Sequence, residues 1–516
     1  MVDTRACNQI SQVTLGERLT LEEFVAVARN HAQVHFSPAY CERVRRSRAV
    51  VEQWIAEERV VYGTTTGFGQ LCSQTISQDE TEKLQEYLIL SDCCSVGEPL
   101  PEEQVRAIML MVLQNVGQGW AGCRLQVLEY YRNFLNKGLT PFVPGEGSVG
   151  YLSVEANIAY VLLGGGKAYW QGELLEGGEA LRRAGMAPIR LGAKEGLSLI
   201  SGTTSPTGLA ALALYDMLQA VKCADIIGSL TLEALKGLIS AFDPRVMEVR
   251  PHRRQGETAE NVRRILQDSQ VIEEARGSHL QDALSLRCIP QLHGAAKNIL
   301  SLARETVEIE MNSCCDNPIV WTDGRQSQAL SACNPDSSYV GMVMDSSAIA
   351  AVGVAKMSER RNNRLIDHNL SGYPWFLTPN PGLNCGLMIP QYSQAGLLND
   401  MRILAYPATV DCTPTCGNQE DYVAMGYNAC KKAAEVSEKL EYILAMELLS
   451  DYQAQGFMGT DAARSGVSHC IYQELARHIP PLDQDAYLNP HIEYLRELIH
   501  SGKLVQLAED RIGELK

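Results

Sequence analysis

Four polar, glycine-bearing segments interrupt a largely apolar sequence, and each carries side chains that could do chemistry. In "VVYGTTTGFGQL", Tyr62 sits on a loop with three glycines, a composition that lets a segment move as a lid and place a phenol over a site. A surface turn with an aromatic anchor is the plainer reading of the same residues. "KEGLSLISGTTSPTG" puts Ser201 and other Gly, Ser and Thr residues ahead of an apolar run, where they would serve equally well as a helix cap. "LQDALSLRCIPQ" sets Gln281 and Arg287 among apolar neighbours, and an arginine so placed suits either two-pronged capture of a carboxylate or a structural ion pair. In "TPTCGNQEDYVAMG", Asn418, Gln419, Glu420 and Asp421 form a polar network or a helix start.

A fifth stretch raises a different question. "PGEGSVGYLSVEANIAYVLLG", Pro144 to Gly164, opens as a Pro/Gly loop able to expose backbone to a reactive group and continues as an apolar, helix-compatible run. The join at Gly150 and Tyr151 offers nothing reactive.

The elements that must position these segments are mostly helical. "SPAYCERVRRSRAVVEQWIAEE" opens with a Ser cap and a Pro at the first helical position, then repeats apolar residues at intervals of three and four. "PEEQVRAIMLMVLQNV", "SPTGLAALALYDMLQAVKCADIIGSLTLEALKGLI", "SSAIAAVGVAKMSERRNNRLI" and "YNACKKAAEVSEKLEYILAMELLSDYQAQ" follow suit, several apolar on more than one face, as in the centre of a bundle. Strand signals are short, "RVVYG" and "NPIVW" among them. Length alone predicts roughly three domains at ~150 residues each. Yet the sequence has no linker, low-complexity tract or repeat, and a mainly α architecture without a clean internal boundary fits best.

The net charge of -16 and the lack of long basic runs argue against nucleic acid and anionic membrane partners. "MVDTRACNQISQVTLGERLT" has no apolar signal region, and no segment reads as a membrane span, so a soluble, cytoplasmic protein is expected. The 16 cysteines contain no C-x-x-C pair and read as reduced thiols. The vicinal pairs Cys93-Cys94 and Cys314-Cys315 lack the usual spacing of zinc ligands, and no metal site is expected.

Taken in order, the segments resemble the histidine, phenylalanine and tyrosine ammonia-lyases and the related aromatic 2,3-aminomutases. The resemblance runs through "TLEEFVAVARN", "VYGTTTGFG", "GSVG", "KEGLSLISGT", "QDALSLRC", "CDNPIV", "MSERRNNRL" and "NQEDYVAMG", and so covers most of the chain. It implies a long-helix bundle of the histidine ammonia-lyase type, with a smaller loop-rich N-terminal portion at 1–200 and a bundle portion at 201–516 that together can count as one domain. It also implies a homotetramer in which each active site draws on three subunits.

The resemblance addresses the fifth stretch. Family members follow Gly-Ser-Val-Gly with Ala-Ser-Gly, which cyclises and loses water to form 4-methylidene-imidazol-5-one. The 14 residues from Tyr151 to Gly164 match the run that normally follows that tripeptide, so the register is intact on both sides and only the reactive residues are missing. The resemblance therefore places the electrophile between Gly150 and Tyr151. A true deletion, giving a catalytically silent lyase-like binding protein, is the alternative.

Such an electrophile suits the chemistry, because removing an unactivated β-proton and expelling an amine is beyond side-chain acids and bases alone. By residue-level match, Tyr62 is the base for the β-proton, with a phenol that must titrate below its reference of about 10. Arg287 would hold the substrate carboxylate with help from Asn334, and Gln281 and Glu420 would lie near the amine and the electrophile. The departures are also informative. Leu284 stands where a tyrosine is usual, Ser201 replaces an asparagine, Tyr151 replaces an aspartate, and "NPDSSYV" replaces the usual Asn-Phe-His-Gly run.

Asp92 occupies the family's position for setting side-chain selectivity, and Glu155 follows the electrophile where leucine is usual. Buried carboxylates need compensation, so either a protein cation lies nearby or the substrate brings one. The expected substrate is thus an α-amino acid with a cationic or strongly hydrogen-bonding side chain, histidine-like in character. The expected reaction is ammonia elimination, with amine transfer by a 2,3-aminomutase as the alternative.

Overall fold

The intervals of three and four become long helices wherever the apolar residues girdle the segment. In the computed structural model, which describes residues 2–61, 66, 80–459 and 462–516, the central element is the helix Thr204–Ala234. Its 31 residues are all buried except Asp216, and at 1.5 Å per residue it spans roughly 46 Å. Gly426–Phe457 and Ser338–Ile366 pack lengthwise on it and on each other, and Ile289–Glu310 and Met388–Leu404 complete the bundle. Glu102–Gly117 lies against the same central helix from the N-terminal side. The result is a mainly α, long-helix bundle.

Helix starts follow the caps written in the sequence. Ser37 accepts a hydrogen bond from the Tyr40 amide and Pro38 takes the first helical position of Pro38–Ala56. Thr20 and Glu23 form a reciprocal capping box on Leu21–Ala28. Ser338–Ile366 is long and apolar enough to cross a membrane by composition alone, but 61% of its most apolar window is buried inside the protein, where it packs as a core helix.

Strands are short and mostly N-terminal. A parallel pair joins Gln12–Leu15 to Gln33–Phe36, Val96–Pro99 pairs with Pro144–Glu146, and Leu139–Pro141, Lys167–Trp170 and Glu173–Glu176 form a three-stranded sheet. "NPIVW" yields the strand Ile319–Thr322, paired with Ser327–Leu330. "RVVYG" does not over its described part: Arg59 to Val61 form no strand and follow closely on the end of a helix, and Tyr62 and Gly63 lie outside the described residues.

Charge is handled inside the bundle by pairing. Arg361 donates to both oxygens of Glu447 at 2.5 and 2.8 Å, and burial together with the Glu447 charge holds the Asp451 carboxyl far above its usual range. Asp216, Glu441 and His500 bring possible ligand atoms within 4.8 Å of one another. Arg29 takes Asp216 at 2.7 and 2.9 Å and Arg496 takes Glu441 at 2.8 Å, so these carboxylates already have cationic partners. The described cysteines are free thiols.

Candidate active site

The Gly150–Tyr151 join lies between two helices whose ends it touches. Helix Ser153–Leu162 begins just after it, and the Leu152 amide donates to the carbonyl of Ile200, the last residue of Glu195–Ile200. The join is closed by a tight turn: the Ser153 amide donates to the Tyr151 carbonyl at 3.2 Å, and Leu152 sits at φ 77, ψ -79. That is the rare form of γ-turn, costly for a side chain of this bulk. Gly150 adopts φ 144 beside Ser337, whose Oγ would lie 2.8 Å from an added Cβ. Ser148 bridges the turn, its hydroxyl accepting from the Gly150 amide and donating to the Tyr151 carbonyl.

Tyr151 connects the join to the polar segment at 413–426. Its hydroxyl donates to Glu420 Oε2 at 3.0 Å, and Thr415 donates to the same oxygen at 2.9 Å. Burial first, and then the Glu420 charge, raise the Tyr151 phenol well above its ordinary range, so it stays protonated. Asp92, the last residue of Thr81–Asp92, faces the same charge. Burial, reinforced by Glu420 and partly offset by a hydrogen bond from Ser91, pushes its carboxyl up to about 6. Asp336 and Cys333 add to the field at Tyr151. Asp92 and Tyr151 thus both lie within reach of the Glu420 charge, with Asp336 near Tyr151, and the region beside the join is acidic.

The remaining sequence-predicted residues fall in three groups. Glu155 is fully buried, but its Oε1 accepts from the Thr204 hydroxyl and the Ser205 amide, both at 2.9 Å. It therefore caps the first turn of the central helix instead of facing Asp92, which corrects its expected place beside the substrate; burial raises its carboxyl despite these bonds. Ser201 is buried at the end of Glu195–Ile200, and its carbonyl accepts from Asn115. Asn334 is exposed and donates to the Cys314 carbonyl at 3.4 Å.

Gln281, Leu284 and Arg287 lie on the loop and short helix leading into Ile289–Glu310. Gln281, expected among apolar neighbours, is exposed in the single chain, and so is Leu284, because no neighbouring element of the same chain covers that loop among the described residues. Arg287 is half-buried, and its Nε donates to the Asp282 carbonyl at 2.9 Å. It forms no ion pair among the described residues, so its guanidinium fork is not committed to a structural carboxylate. Tyr62 lies outside the described residues.

Sequence reasoning missed the residues that hold the site together. Asn115 accepts from the Cys315 amide at 2.7 Å and donates to the Ser201 carbonyl at 3.3 Å, stitching "CDNP" to the glycine turn. Buried Lys194 donates to Asp316 and to Ser198, tying the same loop to "KEGLSLIS". The adjacent amides Gln114 and Asn115 within the apolar "MLMVLQNV" run were the available signal, since buried polar groups need partners.

Comparison with known proteins agrees with this architecture. Residues 19–477 match the model of the family described as aromatic amino acid lyase. The chain is 41% identical over 507 residues to a histidine ammonia-lyase of Symbiobacterium thermophilum, covering 98% of this chain and 99% of that one. Among solved structures, the tyrosine aminomutase from Streptomyces globisporus superposes with a TM-score of 0.93 at 30% identity, covering 98% of this chain and 100% of that one. The histidine ammonia-lyase from Trypanosoma cruzi gives 0.90 at 31%, covering 96% and 94%. With the family match spanning most of its length and full-length relatives at this identity, the chain belongs to the aromatic amino acid lyase family and is a carbon–nitrogen lyase, an amino acid ammonia-lyase.

Proposed function

We propose that this protein eliminates ammonia from an α-amino acid whose side chain is cationic or a strong hydrogen-bond donor, histidine-like in character. The gathering of Asp92 and Glu420 around Tyr151 carries the reading, because a pocket with several carboxylates and no cationic partner at Asp92 among the described residues favours a ligand that supplies the positive charge. The substrate carboxylate goes to the uncommitted Arg287 fork with Asn334 assisting, and the side chain goes to Asp92. Gln281 and Glu420 flank the amine, with Ser201 and Leu284 nearby. Tyr62 accepts the β-proton. Arg287 and Asp92 lie on separate elements with no bond between them among the described residues, which supports a site assembled across subunits of a cytoplasmic homotetramer.

The methylidene-imidazolone of the family fits the join by position. The flanking groups are hydrogen-bonding (Ser148, Ser201, Tyr151 and Glu420), and extra residues there would release Leu152 from its γ-turn. The 516 residues themselves contain no Ala-Ser-Gly at this point. Held there, the group would supply the electrophile for the amine, while this chain's own residues orient the substrate and take its proton. Intact-mass measurement tests the reading directly. The expected mass is that of the chain with Ala-Ser-Gly included, less two waters, and a mass equal to the 516 residues alone would leave the pocket a binding site without chemistry.

The likeness to a tyrosine aminomutase favours a second reading, in which the amine returns to the β-carbon. Product analysis separates the two, an α,β-unsaturated acid with free ammonia standing against a β-amino acid.

A further inference from the structure

Apart from this region lies a cavity of about 300 Å³. Arg250, His252, Arg253 and Arg254 form one wall, where the chain enters helix Arg253–Ile265, and Gln291 and Asn298 on Ile289–Glu310 form the other. The close approach of the two helices depends on Gly294: a Cβ there would lie 2.6 Å from the backbone nitrogen of Gln255. The entering helix therefore starts directly on its neighbour, with its first turn beside the cavity.

The donors on this wall are in surplus. His252 makes no side-chain cap bond, and the first-turn amides of Arg253, Arg254 and Gln255 find no acceptor among the described residues. Glu257 pairs with Arg253 at 2.8 Å and with Arg254 at 2.7 Å, so one carboxylate serves two guanidiniums. Arg250 forms no ion pair among the described residues and donates a 3.4 Å bond to Gln255. Across the cavity, Gln291 Oε1 is buried without a partner, and turning that amide over would present its NH₂ instead. In a chain of net charge -16, so strong a local excess of cationic donors around a concavity is unusual.

We infer that this cavity binds a small phosphate-bearing anion. Guanidinium forks take phosphate oxygens in pairs, and an uncapped helix start adds amide donors along a favourable dipole. Three guanidiniums and the helix amides offer more donors than a planar carboxylate can use, whereas a phosphate group presents three acceptor oxygens. The volume lies at the low end for ligand cavities, which suits an inorganic phosphate species or a mononucleotide.

Isothermal titration of the assembled protein with pyrophosphate and with AMP, at constant ionic strength and with acetate as control, tests the proposal. Saturable binding of one anion per chain is expected for at least one of the phosphates, and which binds tighter separates a free from an organic phosphate source. Arg250→Gln should weaken that binding at least tenfold. Arg253→Glu should do the same, and its side chain is 81% exposed, so folding is not at stake. Absence of saturable binding, equal binding of acetate, or undiminished affinity in both variants would overturn the proposal.

Discussion

At the scale of single residues, the proposed substrate preference rests on Asp92. Its carboxyl is pushed up to about 6, so the charged form grows as pH rises through that value and is lost below it. A substrate whose side chain stays cationic over the range, an amine or a guanidinium, should therefore bind more tightly on going from pH 5 to 7, and Asp92→Asn should remove that dependence, whereas an imidazole loses its own charge over the same window. A hydrogen-bonded charge of this kind contributes about 1.5–3 kcal/mol, so KM for such a substrate should rise roughly 10- to 150-fold in the variant. Steady-state kinetics across the amino acids checks this, and a preference for phenylalanine unaffected by the substitution would remove the charge reading. Asp92 was singled out because the resemblance puts it at a position that sets selectivity, and the structure adds the Glu420 charge near it. Glu155 was misread because nearness to the join in sequence said nothing of which way a buried carboxylate turns, and the uncapped start of the central helix captured it.

At the scale of elements, the approach of helices to the site is set by small residues. Gly426 opens the helix Gly426–Phe457, and an added Cβ would lie 2.6 Å from the Ser337 Cβ and 3.0 Å from its carbonyl oxygen. Gly426→Ala should destabilise the protein by about 1–3 kcal/mol, as overpacking commonly does, seen as a lower urea midpoint with an unchanged slope. Because the Glu420 loop leads directly into this helix, catalytic efficiency should fall as well. The long helices were legible, since an apolar girdle over about thirty residues leaves few alternatives. Short strands were less so: "NPIVW" and "RVVYG" look alike in composition, yet the first gives a strand and Arg59 to Val61 of the second do not.

At the scale of the whole molecule, the helix Ser338–Ile366 leaves Tyr339, Met342 and Ile349 exposed at intervals of three and seven residues, an apolar stripe along its outer face. Such a stripe suits burial against another subunit. Ile349→Glu should shift the proposed tetramer to smaller species in light scattering, and activity should fall with assembly if Arg287 and Asp92 meet only across subunits. An active monomer would contradict the shared site. This level was the least legible from residues alone, because the exposed placement of Gln281 and Leu284 becomes intelligible only with a second chain beside them.

The γ-turn at Leu152 also bears on how such a protein can change over generations. A leucine held at positive φ stores about 1–3 kcal/mol, and the helices on both sides of it are fixed by their own bonds to the rest of the fold. Lengthening the chain at that point relieves the backbone where shortening strains it, and neither disturbs the register of the bundle.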